Sequence, residues 1–287
     1  MIRQLIRFQN MDRRWIFLGM ALAIVVPLLA PINFPFKIDE RVEAIYEKIE
    51  SLEAGDTVFI SADFDPASRP ELEPFYRANL HHFFAKDVKV VIGSLWPFAP
   101  PMVNPWLEEI AADHGKVDGE DFVFLGFKDG KELAIKLIAD DVVKAFPKDL
   151  KERDTATLPI MEGKRQLQDF ALMMSVSAGF PGTREYVLQV QGQYNLDMAS
   201  ATTAVSAPDY VPYYKSNQLF GLSGGMPGSA QYEKLVYDKY GNDSGLINAR
   251  PIATQALNVL NMGHLFIVLL ILMGNVAFFL TRNIEEA

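Results

Sequence analysis

Cysteine is absent from the 287 residues. That excludes disulfide scaffolds and thiolate metal centres. Histidine is scarce, at four. His81 and His82 are neighbours whose side chains diverge by about 100° on a helix, and His114 ends another predicted helix. No metal site is expected from them. Uncharged apolar runs long enough for a bilayer number only two, residues 15–32 and 259–280, which excludes a many-span transporter. Repeats and low-complexity linkers are missing too. An aromatic content of 11% within 49% hydrophobic residues excludes a disordered chain.

What is present divides into tails, two spans and a middle. The boundaries read as a cytoplasmic tail 1–14, a transmembrane helix 15–32, an extracytoplasmic domain 33–255, a second transmembrane helix 256–280 and a cytoplasmic tail 281–287. The first run reads as an uncleaved signal-anchor, because no small residue stands three places before a cut after Ala30 and Pro31 follows it. Arg3, Arg7, Arg13 and Arg14 precede it against one acid, Asp12. The positive-inside rule therefore predicts cytoplasmic termini in a cell, or inner, membrane, with the middle facing outside. Gly19 and Ala23 form a small pair one turn apart, suited to helix contact within this chain or with another subunit. Asn275 lies deep in the second run and wants a hydrogen-bonding partner.

The middle holds 22 basic and 33 acidic residues, a net of −11. An acidic surface argues against nucleic acid as a partner. Short apolar runs at 57–62, 88–94, 122–127, 133–139, 170–177 and 196–202 read as strands. Helical patterns separate them, at 39–52, 71–86, 104–114, 183–194 and 229–240. This predicts a three-layer α/β domain of Rossmann-like kind with a mainly parallel sheet.

In such sheets ligands bind beyond the carboxyl ends of the strands. That rule selects the loops 63–66, 94–97, 177–183 and 203–209. Their candidate ligand-binding residues are Ser94, Trp96, Ser177, Gly179, Gly182, Thr183 and Asp209. Trp96, Trp106, Tyr213 and Tyr214 lie in proline-rich aromatic stretches suited to protein contacts. Gly221–Gly225 matches G-x-S-x-G, but the one later histidine, His264, falls inside the second apolar run. A glycine-rich turn is the better account.

Asp63 and Asp65 are two carboxylates two residues apart at a predicted strand end. Ser94 closes the next strand and Asp140–Asp141 close a later one. Over residues 57–141 this resembles the opening motif of the haloacid dehalogenase-like phosphatases. The resemblance implies a Mg²⁺-dependent phosphohydrolase with Asp63 and Asp65 as its acids. The chain departs from the motif at Ala67 and Pro66, and no lysine stands out as the charge-neutralising one. The plainer account has Asp65 capping a turn before Pro66, with Asp63 solvated.

The leading expectation is a membrane-anchored interaction or scaffold domain, a non-catalytic subunit of a larger membrane assembly. Its partners would be lipid through two helices and other membrane subunits or itself, with no cofactor. A ligand-binding or sensory domain comes second. The phosphohydrolase, the one reading that needs Mg²⁺, comes third.

Overall fold

The structure is a computed structural model that describes residues 12–30, 35–194, 196–243, 247 and 251–285. Arg3 and Arg7, the end of the first apolar run at 31–32 and Glu286 lie outside the described residues. The chain divides into a helical unit, Met1–Pro35 with Thr254–Ala287, and an α/β unit, Phe36–Ala253. Helix α1 (Arg13–Leu29) opens the helical unit, with the Asp12 carboxylate accepting the Arg14 N–H at 2.9 Å.

The α/β unit begins at α2 (Glu40–Glu50), capped by Asp39, which accepts the Arg41 N–H at 2.9 Å. Then come β1 (Thr57–Asp63), α3 (Arg69–Ala85), β2 (Lys89–Ser94), α4 (Ala99–Asp113) and β3 (Phe122–Phe127). Next are α5 (Lys131–Asp140), the short α6 (Val142–Ala145) and β4 (Met173–Ser177). Helix α7 (Thr183–Tyr186) runs into a π-helical turn at Val187–Gln191. The unit ends with β5 (Met198–Thr202), α8 (Ala207–Lys215), β6 (Gly221–Gly224) and α9 (Gly225–Tyr237).

All six strands pair in parallel, in the order β3-β2-β1-β4-β5-β6. This is the strand order of the doubly wound dinucleotide fold, whose topological switch point lies between β1 and β4. Alternation along each strand sends its side chains to opposite faces. Val58, Ile60 and Ala62 join one core with α2, α3, α4 and α9, while Phe59 joins another with α5, α6, α7 and α8. Both faces are therefore covered, which is why the strands are buried along most of their length.

Three expectations are corrected. Residues 133–139 are not a strand but the body of α5. Ala134, Ile135, Ile138 and Ala139 are its buried residues, at the spacing of one helix face. The sixth strand is Gly221–Gly224, read from sequence as a turn. Tyr213 and Tyr214, outside every expected helix, lie in α8, and the helix expected at 104–114, which holds Trp106, begins earlier, at Ala99. Prolines occupy the first turns of both helices, where no intrahelical N–H bond is lost.

Helix α10 (Ile252–Glu285) closes the chain. Its segment Ile252–Leu280 is the one stretch of described helix long and apolar enough to cross a membrane. Two such helices were expected. Helix α1 has 17 residues, about 26 Å of rise against a hydrocarbon core of about 30 Å. A Cβ placed on Gly19 would lie 2.5 Å from the Phe266 ring, so the missing side chain lets α1 approach α10. Ala23, one turn on, is half-buried, and Asn275 is exposed.

Candidate functional site

The face of the sheet that carries Phe59 changes character toward the carboxyl ends of the strands. At the level of Phe59, Met173 and Met198 it is apolar. One step along are Ser61, Ser175 and Ser200, and a further step brings Asp63, Ser177 and Thr202 into register. All six of these polar residues are buried. They cross the switch point as two polar rows laid over an apolar base.

The rows are wired together. Thr183, in the first turn of α7, sets its Oγ1 2.9 Å from Ser175 Oγ and 2.8 Å from Ser200 Oγ. Ser61 Oγ lies 2.6 Å from Asp63 Oδ2 and 2.9 Å from the Tyr186 hydroxyl. Asp63 Oδ1 accepts the Leu95 N–H at 2.6 Å, and the Asp63 carbonyl accepts the Ala178 N–H at 3.0 Å. Thr202 Oγ1 has no hydrogen-bond partner among the described residues.

Asp63 is thus buried, not solvated. Removal from water pushes its carboxyl up to about 7, and Glu185 adds to the rise, against the hydrogen bonds from Ser61 and Leu95. Tyr186 is raised well above its ordinary value, first by burial and then by the Asp63 charge.

Asp65 has a different fate. It accepts the Ser68 N–H at 3.0 Å and the Ser68 hydroxyl at 2.7 Å, closing a turn ahead of α3. The Ser68 bonds hold its carboxyl below the usual range. The loop from Asp63 to Ser68 contains no glycine, so the pyrophosphate fingerprint that occupies this place in dinucleotide folds is missing. Asp140 and Asp141 end helix α5 and not a strand. Asp140 accepts the Tyr194 hydroxyl, and Asp141 accepts the Lys144 N–H at 2.9 Å. Of the pattern behind the phosphatase resemblance, Asp63 and Ser94 end adjacent strands, whereas Asp140 and Asp141 do not end one.

The loops close over Asp63. Trp96 Nε1 donates to the Pro181 carbonyl at 2.8 Å, joining the loop after β2 to the loop after β4. Ser94 Oγ donates to the Ala62 carbonyl at 2.7 Å and accepts the Trp96 N–H at 3.0 Å. Ser177 Oγ donates to the Gly179 carbonyl at 3.0 Å, and Glu185 accepts the Gly182 N–H at 2.9 Å. The sequence candidates Ser94, Trp96, Ser177, Gly179, Gly182 and Thr183 are gathered here. Asp209 is exposed on α8, and Trp106 stands apart beside Tyr76 and Arg69. Glu185, Tyr186, Ser61 and Thr202 were missed, although the polar pairs at the ends of three strands signalled two of them.

A second polar cluster joins α2, α3 and α9. Asn79 Nδ2 donates to the Tyr232 hydroxyl at 3.0 Å, which lies 2.8 Å from His82 Nδ1, and His82 Nε2 lies 3.1 Å from Glu50 Oε1. Lys239 and Tyr240 also donate to Glu50, at 2.7 and 2.8 Å. Burial opposes the Glu50 charge, but hydrogen bonds from His82, Lys239, Tyr240 and Tyr46 outweigh it and hold the carboxyl well below its usual range. His82 and Tyr232 are fully enclosed, so this chain of bonds ties helices together. Tyr232→Phe leaves His82 Nδ1 and Asn79 Nδ2 without this partner and should cost about 1–3 kcal/mol in a urea titration; an unchanged midpoint would contradict the network. Among the described residues no group of three or more His, Asp or Glu is placed to hold a metal ion.

Comparison with protein-family models, curated proteins and solved structures found no match to this chain.

Proposed function

We propose that this chain is a membrane-anchored interaction subunit. In this reading α1 and α10 pair in the bilayer, both termini are cytoplasmic, and the α/β unit lies outside and offers the carboxyl edge of its sheet to another polypeptide. The observation that carries the reading is the set of apolar side chains at that edge. Phe98 follows β2, Leu133 follows β3, Phe180 follows β4 and Val205 follows β5. They are 61%, 80%, 54% and 88% exposed. Phe98, Phe180 and Val205 stand at loop tips and Leu133 in the first turn of α5, and large apolar groups left in water along one edge suit a contact surface. Apart from the Thr202 hydroxyl, the polar groups of the two rows beneath them are already committed to partners.

The helices support the same reading. Trp15, Phe17, Leu22, Leu29, Ile271 and Phe279 are all more than half exposed, as lipid-facing side chains are. Asn275 is an exposed amide within the apolar span of α10, and a helix from another chain could satisfy it.

The test is extraction from the native membrane in mild detergent. Wild type should bring down a defined partner chain at a fixed ratio, and a variant with Phe98, Phe180 and Val205 all changed to serine should lose it. A lone wild-type chain would overturn the proposal. A second reading, ligand binding, draws on the buried and unpartnered Thr202 hydroxyl, in register with Ser177 and through it with Asp63. It requires a metabolite that raises the melting temperature.

A further inference from the structure

We propose that the Asp63 carboxyl group is a latch that holds the loop after β2 closed against the loop after β4 across the switch point, and that loss of its proton lets the first loop part from the second. Asp63 touches both loops, the first through its side chain and the second through its main chain, so the first is the one its charge can move. Its carboxylate oxygen takes the Leu95 N–H at 2.6 Å, and its main-chain carbonyl takes the Ala178 N–H at 3.0 Å. The next residue of the first loop, Trp96, reaches the Pro181 carbonyl of the second at 2.8 Å. The loop tips Phe98 and Phe180 are carried on these same two segments.

The titratable groups facing Asp63 are Glu185, from α7, and Tyr186, whose hydroxyl lies 2.9 Å from Ser61 Oγ. Glu185 is buried and accepts the Gly182 N–H. The neutral Asp63 acid suits this enclosure. Its carbonyl oxygen accepts from Leu95, and its hydroxyl can donate to Ser61 Oγ. The anion adds a like charge beside Glu185 in a space closed to water. It regains hydration only when the two loops part. Burial pushes this carboxyl up to about 7, so the closed form binds the proton more tightly than an open form would. Closure is then favoured at acid pH and weakens as pH rises through about 7. The latch regulates the edge that serves as the docking surface in the preceding proposal. Its test needs no partner, so either idea can fail alone.

The experiment uses the full chain in detergent with Trp15→Phe and Trp106→Phe, leaving Trp96 as the sole indole. Acrylamide quenching of Trp96 should rise severalfold between pH 5 and pH 9. In Asp63→Asn, which keeps an acceptor for Leu95 and a donor for Ser61, quenching should stay low throughout. Glu185→Gln should move the transition to lower pH, and it serves as the test should Asp63→Asn not fold. A flat wild-type profile would overturn the latch. So would a transition that persists unchanged in Asp63→Asn or in Glu185→Gln.

Discussion

Alanine at position 182 should destabilise the α/β unit by about 3 kcal/mol, whereas alanine at 179 should cost less than about 1 kcal/mol. The two glycines share one loop and differ in their surroundings. A Cβ on Gly182 would lie 1.9 Å from Ser177 Oγ and 2.4 Å from the Gly179 carbonyl. One obstacle is backbone, and the other is a buried hydroxyl already bonded to that carbonyl. Neither can turn aside, so the loop after β4 must shift and the Trp96–Pro181 bond goes with it. The backbone at Gly182 is extended, so the cost is purely one of space. A Cβ on Gly179 meets nothing nearer than the Trp96 ring, at 4.0 Å. Urea titration of both variants checks the contrast, and equal losses would contradict the closed loop.

Asp63→Asn should raise the melting temperature at pH 8 and leave it nearly unchanged at pH 4. The Asp63 carboxyl is raised from 3.8 to about 7 by burial and by Glu185. The folded state therefore binds a proton that the unfolded chain has released. Stability from this group is fully present below about pH 4, falls as pH rises through about 7, and then levels off. The span amounts to about 4 kcal/mol at most, since each pKa unit is worth about 1.4 kcal/mol. Loop opening reduces it by letting water reach the carboxylate. For a unit of this size the gain at pH 8 is on the order of 10 °C. Glu50 acts with the opposite sign. Its carboxyl is held low, so its contribution exists at neutral pH and is lost on acidification. A gain of equal size for Asp63→Asn at both pH values would show that ionisation of Asp63 is not the cause.

Much of this arrangement was legible in the sequence where local pattern and tertiary context agree. The apolar runs at 57–62, 88–94 and 122–127 are strands, and the helix capped by Asp39 begins where its cap predicts. The failures have particular causes. In α5 the residues 133–139 are apolar enough to pass for a buried strand, and only the spacing of Ala134, Ile135, Ile138 and Ala139 betrays a helix. Strand β6 has four residues, two of them glycine. Its identity comes from the ladder to β5 and from α2, whose Ile45 packs where a Gly221 side chain would stand. Those contacts are remote in sequence and leave no local trace. Helix α8 was hidden by Pro208 and Pro212, residues that more often break helices than fill them.

The site was legible in a form easy to overlook. Three strands end in polar pairs two residues apart: Ser61 and Asp63, Ser175 and Ser177, Ser200 and Thr202. Strand alternation alone puts both members of each pair on one face. Parallel pairing then lines the three pairs up. Asp63 looked solvated because strand ends usually are, and no local signal shows that Trp96 and Pro181 meet above it.

The central claim is that the carboxyl edge of the sheet meets another polypeptide in a membrane assembly. A photo-activatable phenylalanine analogue placed at position 98 or 180, and irradiated in intact native membranes, tests it most directly. The account predicts a discrete adduct well above the 32.2 kDa of this chain, formed at both positions and containing one defined second polypeptide. Adducts to lipid alone, or no adduct at either position while the chain remains folded and membrane-bound, would contradict it.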